Sequence, residues 1–365
     1  KGFPKGKPLI INDFNSIKNT ASAYYICIEI TKIKKSYDFP CSSLLTKDGI
    51  RNFTNDLEGH KIYIDNIALE DLIKYQGAEF KFINGYYFND GFNNKINETI
   101  TYLFNQRLKF KKLKNPLQLV FKELMNSSYG KSCLKPIDSD SVYVSKDNFK
   151  EYVIKNYNYI KEATLLANKK FYKIKLTKAI DTHFNNVHVG VLILSMSKSI
   201  MFEVMTLAED LDIDMYYTDT DSIHIDNSKI NYLGEQFKNK YGRDLIGNNL
   251  GEFHTDFDLE GSVGDIVASQ SIFLGKKCYI DKLQGYDKNG KELNDYHIRM
   301  KGVSSNCIKF KADNEYDGDL CKVYEDLYNG EKITFDLLAV SPSFELMKNM
   351  TIRSRKTFNR AIQFK

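Results

Sequence analysis

The run at residues 189–210 sets the strongest constraint on the fold: read as a helix, it is apolar over most of its circumference and needs partners on several sides. It leads into two short runs of strand character, 211–217 and 223–225, with Tyr217-Thr218-Asp219-Thr220-Asp221-Ser222 between them. A buried helix followed at once by a hairpin with an acidic tip is therefore expected. Two carboxylates one residue apart can hold a divalent metal at a phosphoryl-transfer centre, and carboxylate oxygens suit Mg²⁺. Aspartate also favours turns on its own account, so the pattern alone is weak. A calcium loop is excluded, because Ile223 and His224 stand where that loop needs a ligand and a glycine.

At 365 residues the chain exceeds the usual size of one domain. Alternating, β-branched patterns predict strands at 24–33, 61–67 and 79–88, with a short helix at 69–75. From about residue 94 the pattern becomes helical, with Ile96, Ile100, Leu103, Leu108 and Leu113 as one stripe. Asn115-Pro116 breaks it, since proline disfavours helical geometry at the residue before it. A second helix is expected from Pro116 to about Ser128, ended by Gly130, giving an antiparallel helical pair. Residues 134–180 return to strand-like and irregular sequence, with candidate strands at 142–144 and 171–176. After Gly261 strands and loops are expected to alternate as far as Ile308, and the remainder is mixed.

A net charge of +5 suits a nucleic-acid partner without requiring one. The 52 basic residues divide into 45 Lys and 7 Arg. Lys, Asn and Ile share AT-rich codons, so lysine clusters carry little weight and each arginine carries more. The six cysteines form no CxxC pair, which argues against structural zinc and for free thiols in a reducing, intracellular compartment. No apolar run is read as reaching the length of a membrane span, so no membrane partner is expected. The chain opens on Lys1-Gly2-Phe3-Pro4 with no initiator Met and no signal peptide, so a fragment is expected.

A second motif, Lys122-Glu123-Leu124-Met125-Asn126-Ser127-Ser128-Tyr129-Gly130, falls on the second helix of the pair. Lys122, Asn126 and Tyr129 are four and three apart and share one face. A cation there can meet a triphosphate, and the ring can form a floor beneath a sugar or base. Arg107 and Lys111, four apart on the preceding helix, could face Lys122 as a phosphate clamp. An amphipathic helix with a glycine stop is the plainer account. In a third motif, Lys277-Cys278-Tyr279, residues two apart on a strand share a face and could touch a phosphate and a primer end. Lys301-Gly302 offers another backbone contact; ordinary strand surface explains either.

In their order, Lys122…Asn126-Ser127-x-Tyr129-Gly130, Asp219-Thr220-Asp221-Ser222 and Lys277-x-Tyr279 resemble the family B DNA polymerases over most of the chain. The space between Gly130 and Asp219 fits an insertion at about 134–180, as in the protein-primed polymerases of viruses and linear plasmids. Pro4-Lys5-Gly6-Lys7-Pro8 is similar to an element just after that family's first palm motif. The resemblance implies a mixed α+β fold: a palm with an antiparallel sheet, helical fingers, a small thumb and two insertions. The implied division is 1–88 for a terminal-protein-contacting insertion plus palm edge, 89–133 for fingers, 134–180 for the second insertion, 181–305 for palm and 306–365 for thumb. It implies DNA template and primer, deoxynucleoside triphosphates and a terminal protein as partners. Two Mg²⁺ ions, or Mn²⁺ in their place, are the implied cofactors. Asp221 would be a direct metal ligand and Asp219 a supporting carboxylate. Lys122 would bind triphosphate, where the helix-pair reading sets Arg107 and Lys111 as well. Tyr129 would support the nascent base pair and exclude a ribose 2′ hydroxyl, with Asn126 positioning it. Ser222, Lys277, Tyr279 and Lys301 would contact DNA. The site of action would be a viral replication site, the cytoplasm or a mitochondrion.

One element of the family is missing. The first palm motif carries a metal-binding Asp in a D-x-x-S-L-Y-P context. Asp13-Phe14-Asn15-Ser16-Ile17 lacks the Tyr-Pro and follows the Pro-Gly-Pro element where it should precede it. The expected account is a C-terminal piece of a polymerase that extends primers poorly alone. The rivals are a catalytically incomplete DNA- or terminal-protein-binding fragment and an RNA-dependent polymerase. The second usually has adjacent aspartates, which Thr220 separates here.

Overall fold

The computed structural model describes residues 2–134, 138–178, 186–347 and 351–364. The chain divides into two compact units, Lys1–Glu203 and Val204–Lys365.

The first unit is built on strands β1 (Leu9–Ile10), β2 (Ala23–Lys32), β3 (Lys61–Asp65) and β4 (Glu79–Phe88). They form an antiparallel sheet in the order β1-β4-β2-β3. β2 is apolar almost throughout because both its faces are covered; Tyr24, Ile26, Ile28 and Ile30 pack with Leu57, Leu69 and Leu72. β4 carries Gly85, where a Cβ would lie 2.6 Å from the Tyr25 carbonyl oxygen, so only glycine lets the strands close. β3 stops two residues short of its expected end because Asp65 becomes a helix cap. Its Oδ1 accepts from the backbone N–H of Ile67 (2.9 Å) and Ala68 (3.2 Å), starting helix α1 (Asn66–Gln76). Gly77, at φ 59°, closes that helix.

The expected helical pair is α2 (Lys95–Lys112) and α3 (Leu117–Ser132), joined across a Phe110–Phe121 ring stack at 5.5 Å. The Asn115 side chain accepts from the Leu117 N–H (2.9 Å) and starts α3 at the predicted break. The predicted stop at Gly130 is wrong. Gly130 is not at positive φ, and the helix continues to Ser132. Three further strands, β5 (Ser139–Ser145), β6 (Ile160–Leu165) and β7 (Phe171–Thr177), pair antiparallel in the order β6-β7-β5. Helix α4 (Phe149–Asn156), which the sequence pattern did not reveal, stacks Phe149 on Tyr172 at 3.8 Å.

Helix α5 (Val187–Asp210) is the long apolar helix. By length and composition it could cross a membrane, which corrects the expectation that no run reaches that length. Half of its apolar window is buried inside the protein. Two of its serines reach carboxylates on the first unit's sheet and helix. Ser195 donates to buried Asp65, and Ser199 donates to Asp71 at 2.9 Å. Gly190 sits close to α3, since a Cβ there would meet the Cys133 sulfur.

Asp71 is 5% exposed, and burial raises its carboxyl to about 6, against the opposing Ser199 hydrogen bond. The folded state thus holds this proton more tightly than an unfolded chain, whose aspartate titrates near pH ~4. The favourable contribution is complete below about pH 4 and is lost as pH rises through about 6, a change on the order of 2–3 kcal/mol. Asp71→Asn is expected to melt higher than wild type at pH 8 and to converge with it near pH 4.5. A melting difference that does not depend on pH would contradict this.

The second unit begins with the acidic hairpin, β8 (Met215–Asp219) and β9 (Ser222–Ile225), followed by helix α6 (Ile230–Tyr241). β8 starts four residues later than expected, because Asp212 turns the chain at φ 53°. Helix α6 escaped the sequence reading; it buries Leu233 and Phe237, four apart, against Val204, Leu207 and Ala208. Strands β10 (Val267–Gly275), β11 (Cys278–Tyr286) and β12 (Glu292–Met300) make an antiparallel meander. Helices α7 (Ser305–Glu315) and α8 (Leu320–Tyr328) cover one face, and strands β13 (Ile333–Asp336) and β14 (Asn359–Ile362) pair beyond them. The expected strand-and-loop pattern up to Ile308 therefore ends earlier, at Ser304, whose hydroxyl accepts from the Cys307 N–H and caps α7. Ile280, Ile298, Ile308, Val323, Tyr324 and Phe335 form the core between sheet and helices.

Candidate active site

β11 is buried on both faces. Cys278 and Ile280 face the helical core, so Tyr279 and Asp281 point the other way by strand alternation. That second face meets the acidic hairpin. Tyr217 of β8 lies 4.8 Å from the Tyr279 ring and is stacked on Phe273 at 5.4 Å. Burial pushes the Tyr279 hydroxyl up to about 12. Tyr279 is thus part of the site's floor and not the open strand surface considered from sequence.

The hairpin tip is strained. Thr220 has φ 62°, an outlier for a β-branched residue. The Asp221 N–H donates to the Asp219 carbonyl at 2.7 Å, closing a three-residue turn of the rare positive-φ kind. The Ser222 hydroxyl donates to the same carbonyl at 3.1 Å, so it braces the turn. The tip is also clamped from the meander. Lys277, at φ 57° in the two-residue loop before β11, donates its N–H to the Tyr217 hydroxyl (2.8 Å). Its ammonium donates to Asp219 Oδ2 at 2.9 Å. The Lys277 hydrogen bond, with that of Thr220, holds the Asp219 carboxyl below the usual carboxylate range, and Asp219 in turn raises Lys277. Asp221 is exposed, and among the described residues its carboxylate has no hydrogen-bond or ion-pair partner. Asp219 is engaged; Asp221 is open to solvent.

Sequence reasoning missed what lies beneath. Asp281, fully buried, accepts from the Ser271 hydroxyl (2.7 Å) and stands 3.0 Å from His297 Nδ1 and 3.7 Å from His224 Nδ1. Burial lowers the His224 pKa, and Asp281 partly opposes it. The signal was present: Lys277, Tyr279 and Asp281 follow one another at a spacing of two. Arg299, the cross-strand partner of Tyr279, was also missed. Lys301 follows Met300, which pairs with Cys278, so Lys301 lies at the same end of the sheet as Lys277.

The other predicted residues are in the first unit. Lys122 and Asn126 are exposed on α3, and Tyr129 is half-buried, with burial and the nearby Cys133 raising its hydroxyl. Ser127 and Ser128 fold back onto the Leu124 carbonyl. On α2, Lys111 is exposed, whereas the Arg107 Nε is buried with no hydrogen-bond partner among the described residues.

Residues 1–211 match the family model for DNA polymerase type B, organellar and viral. The chain belongs to that family. No curated protein matches this polymerase chain by sequence. Its fold is similar to that of Phi29 DNA polymerase in an orthorhombic crystal form, with a TM-score of 0.57 and 16% identity over 100% of this chain and 55% of that one. It is equally similar to Phi29 DNA polymerase complexed with primer-template DNA, with a TM-score of 0.58 and 15% identity over 99% and 54%. The polymerase chain therefore spans about half the length of these solved structures, and its mixed α+β fold with antiparallel sheets is theirs.

A metal can be tested against the hairpin on its donors. The described residues contain no group of three His, Cys, Asp or Glu side chains that could hold one. Mg²⁺ commonly uses one or two carboxylates and takes its other ligands from water and phosphates, and Asp221 with Asp219 fits that partial set.

Proposed function

We propose that this chain takes part in template-directed DNA synthesis, in which a nucleotide passes from a deoxynucleoside triphosphate to a primer 3′ hydroxyl. The observation that carries the reading is the strained Asp219-Thr220-Asp221 tip, clamped by Lys277 from the neighbouring sheet. Mg²⁺ held by Asp221, with Asp219 in support, would acidify the primer hydroxyl and stabilise the leaving pyrophosphate. The chain's own residues do the rest. Lys277 keeps Asp219 ionised and fixed, and Tyr217 and Tyr279 form a rigid apolar floor under the primer terminus. Lys122 and Asn126 receive the triphosphate, with Arg107 and Lys111 beside them, and Tyr129 bears on the nascent pair.

In this reading residues 89–133 are the fingers, 181–305 palm and 306–365 thumb, with insertions at 1–88 and 134–180. The viral and organellar membership favours a protein-primed enzyme, in which a terminal-protein hydroxyl replaces the primer hydroxyl at initiation. Primer extension by the product of the full reading frame containing this chain tests the proposal. Mg²⁺-dependent extension on a DNA template is expected, with little on RNA; the reverse preference would mean an RNA-dependent polymerase. Labelled nucleotide appearing covalently on a protein would identify protein priming.

DNA affinity should fall with salt, since Arg299 and Lys301 lie at one end of the sheet. Lys301→Ala is expected to reduce the salt slope by about one phosphate contact and to leave the extension rate unaltered. An unaltered slope would remove Lys301 from the DNA surface.

A further inference from the structure

The acidic hairpin and the meander are separate ladders, and among the described residues no backbone–backbone hydrogen bond joins them. Side chains must therefore fix the angle between the strand bearing the acids and the strand bearing Lys277 and Tyr279. Lys277 makes two such links at the tip. We propose that Asp281 makes the third and is a positioning residue for nucleotidyl transfer, a proposal that rests on the polymerase reading above.

Asp281 is two residues beyond Tyr279 and 0% exposed. Its carboxylate has no Lys or Arg partner among the described residues, only Ser271 and the two histidines. A buried carboxyl group so partnered is an expensive way to fill a core, and apolar residues would stabilise it at least as well. What a satisfied polar cluster adds is one defined arrangement in place of several. Here the arrangement spans both ladders. His297 belongs to β12, across from Asp281 in register, and its Nδ1 at 3.0 Å donates to the carboxylate. His224 belongs to β9, three residues past Asp221. Its ring stands edge-on to Tyr217, Phe273 and Tyr279 at 5.7, 5.1 and 5.4 Å. His224 Nδ1 comes within 3.7 Å of the carboxylate, beyond hydrogen-bond reach, and this close approach together with the ring contacts sets how the hairpin leans over Tyr279. A displacement of about 1 Å at a reacting centre can cost roughly a hundredfold in rate, so this tilt matters to turnover.

The test uses the full reading frame and three variants: Asp281→Asn, which keeps the shape, His224→Phe, which keeps an aromatic ring and removes the nitrogen that faces Asp281, and Asp221→Ala. Burst experiments separate the amount of competent enzyme, read as amplitude, from the rate constant of incorporation. Asp281→Asn and His224→Phe are expected to lower the rate constant about tenfold or more. Primer–template affinity should stay within about twofold of wild type. A merely structural role would reduce amplitude and melting temperature and leave the rate constant alone, and that result would overturn the proposal. If Asp281→Asn does not fold, His224→Phe decides by the same two numbers. Asp221→Ala with full synthesis would instead refute the polymerase reading of the hairpin. Asp221→Ala inactive beside wild-type rate constants in the other two would sink the Asp281 role alone.

Discussion

Asp221→Ala is expected to reduce nucleotide incorporation by about a thousandfold or more while primer–template binding survives, the largest effect expected for any single substitution here. The argument rests on the contrast within the hairpin. Asp219 is committed on both oxygens, to Lys277 and to Thr220, so its removal frees an ammonium and disturbs the tip. Asp221 is exposed and has no such partners among the described residues, so on the proposed reading its loss would remove a metal ligand and little else. A metal clamp supplies several kcal/mol of transition-state stabilisation, which corresponds to the stated factor. Folding should be unaffected, because exposed substitutions outside a network are usually within about 0.5 kcal/mol of neutral. Single-turnover extension and a DNA-binding titration check both halves. Lost binding with retained turnover would show that Asp221 contacts DNA instead.

The largest effect on stability is expected at Asp65→Ala. One carboxylate caps α1 through Ile67 and Ala68 and accepts from Ser195 of α5 at a site 3% exposed. Loss of the cap costs about 1 kcal/mol, and leaving the Ser195 hydroxyl buried and unpaired costs about 1–3 kcal/mol more. The sum, roughly 2–4 kcal/mol, should appear in chemical denaturation as a lower midpoint with an unchanged slope. Pairing it with Ser195→Ala tests the assignment, because the double variant should lose less than the two singles added together. Strict additivity would show that the serine bond contributes nothing.

Local pattern was enough to read the elements whose own residues determine them. The helical pair was visible in the apolar stripe and in Asn115-Pro116, and β4 fell at its predicted bounds because alternation and flanking turn residues agree there. Gly130 misled because glycine stops a helix only where the backbone turns left-handed, and here it does not. The length of α5 was legible, but the use of its serines was not: their partners lie 130 and 128 residues away. The same holds at the site. The acids, Lys277 and Tyr279 were legible as motifs. The spacing of two puts Asp281 on the face of Tyr279, but His224 and His297 reach it only through strand pairing and sheet packing, which no spacing rule encodes.

The sealed strand β11 has a consequence for how this unit fails. Amides of a strand covered on both faces can exchange with solvent only when the surrounding core opens, so Cys278–Tyr286 should include the slowest-exchanging protons of the unit. The candidate site is thus laid on the last part to come apart. Heating should leave no temperature range in which the unit is folded but this site is lost, and the decline of any activity it supports should trace the loss of near-UV signal.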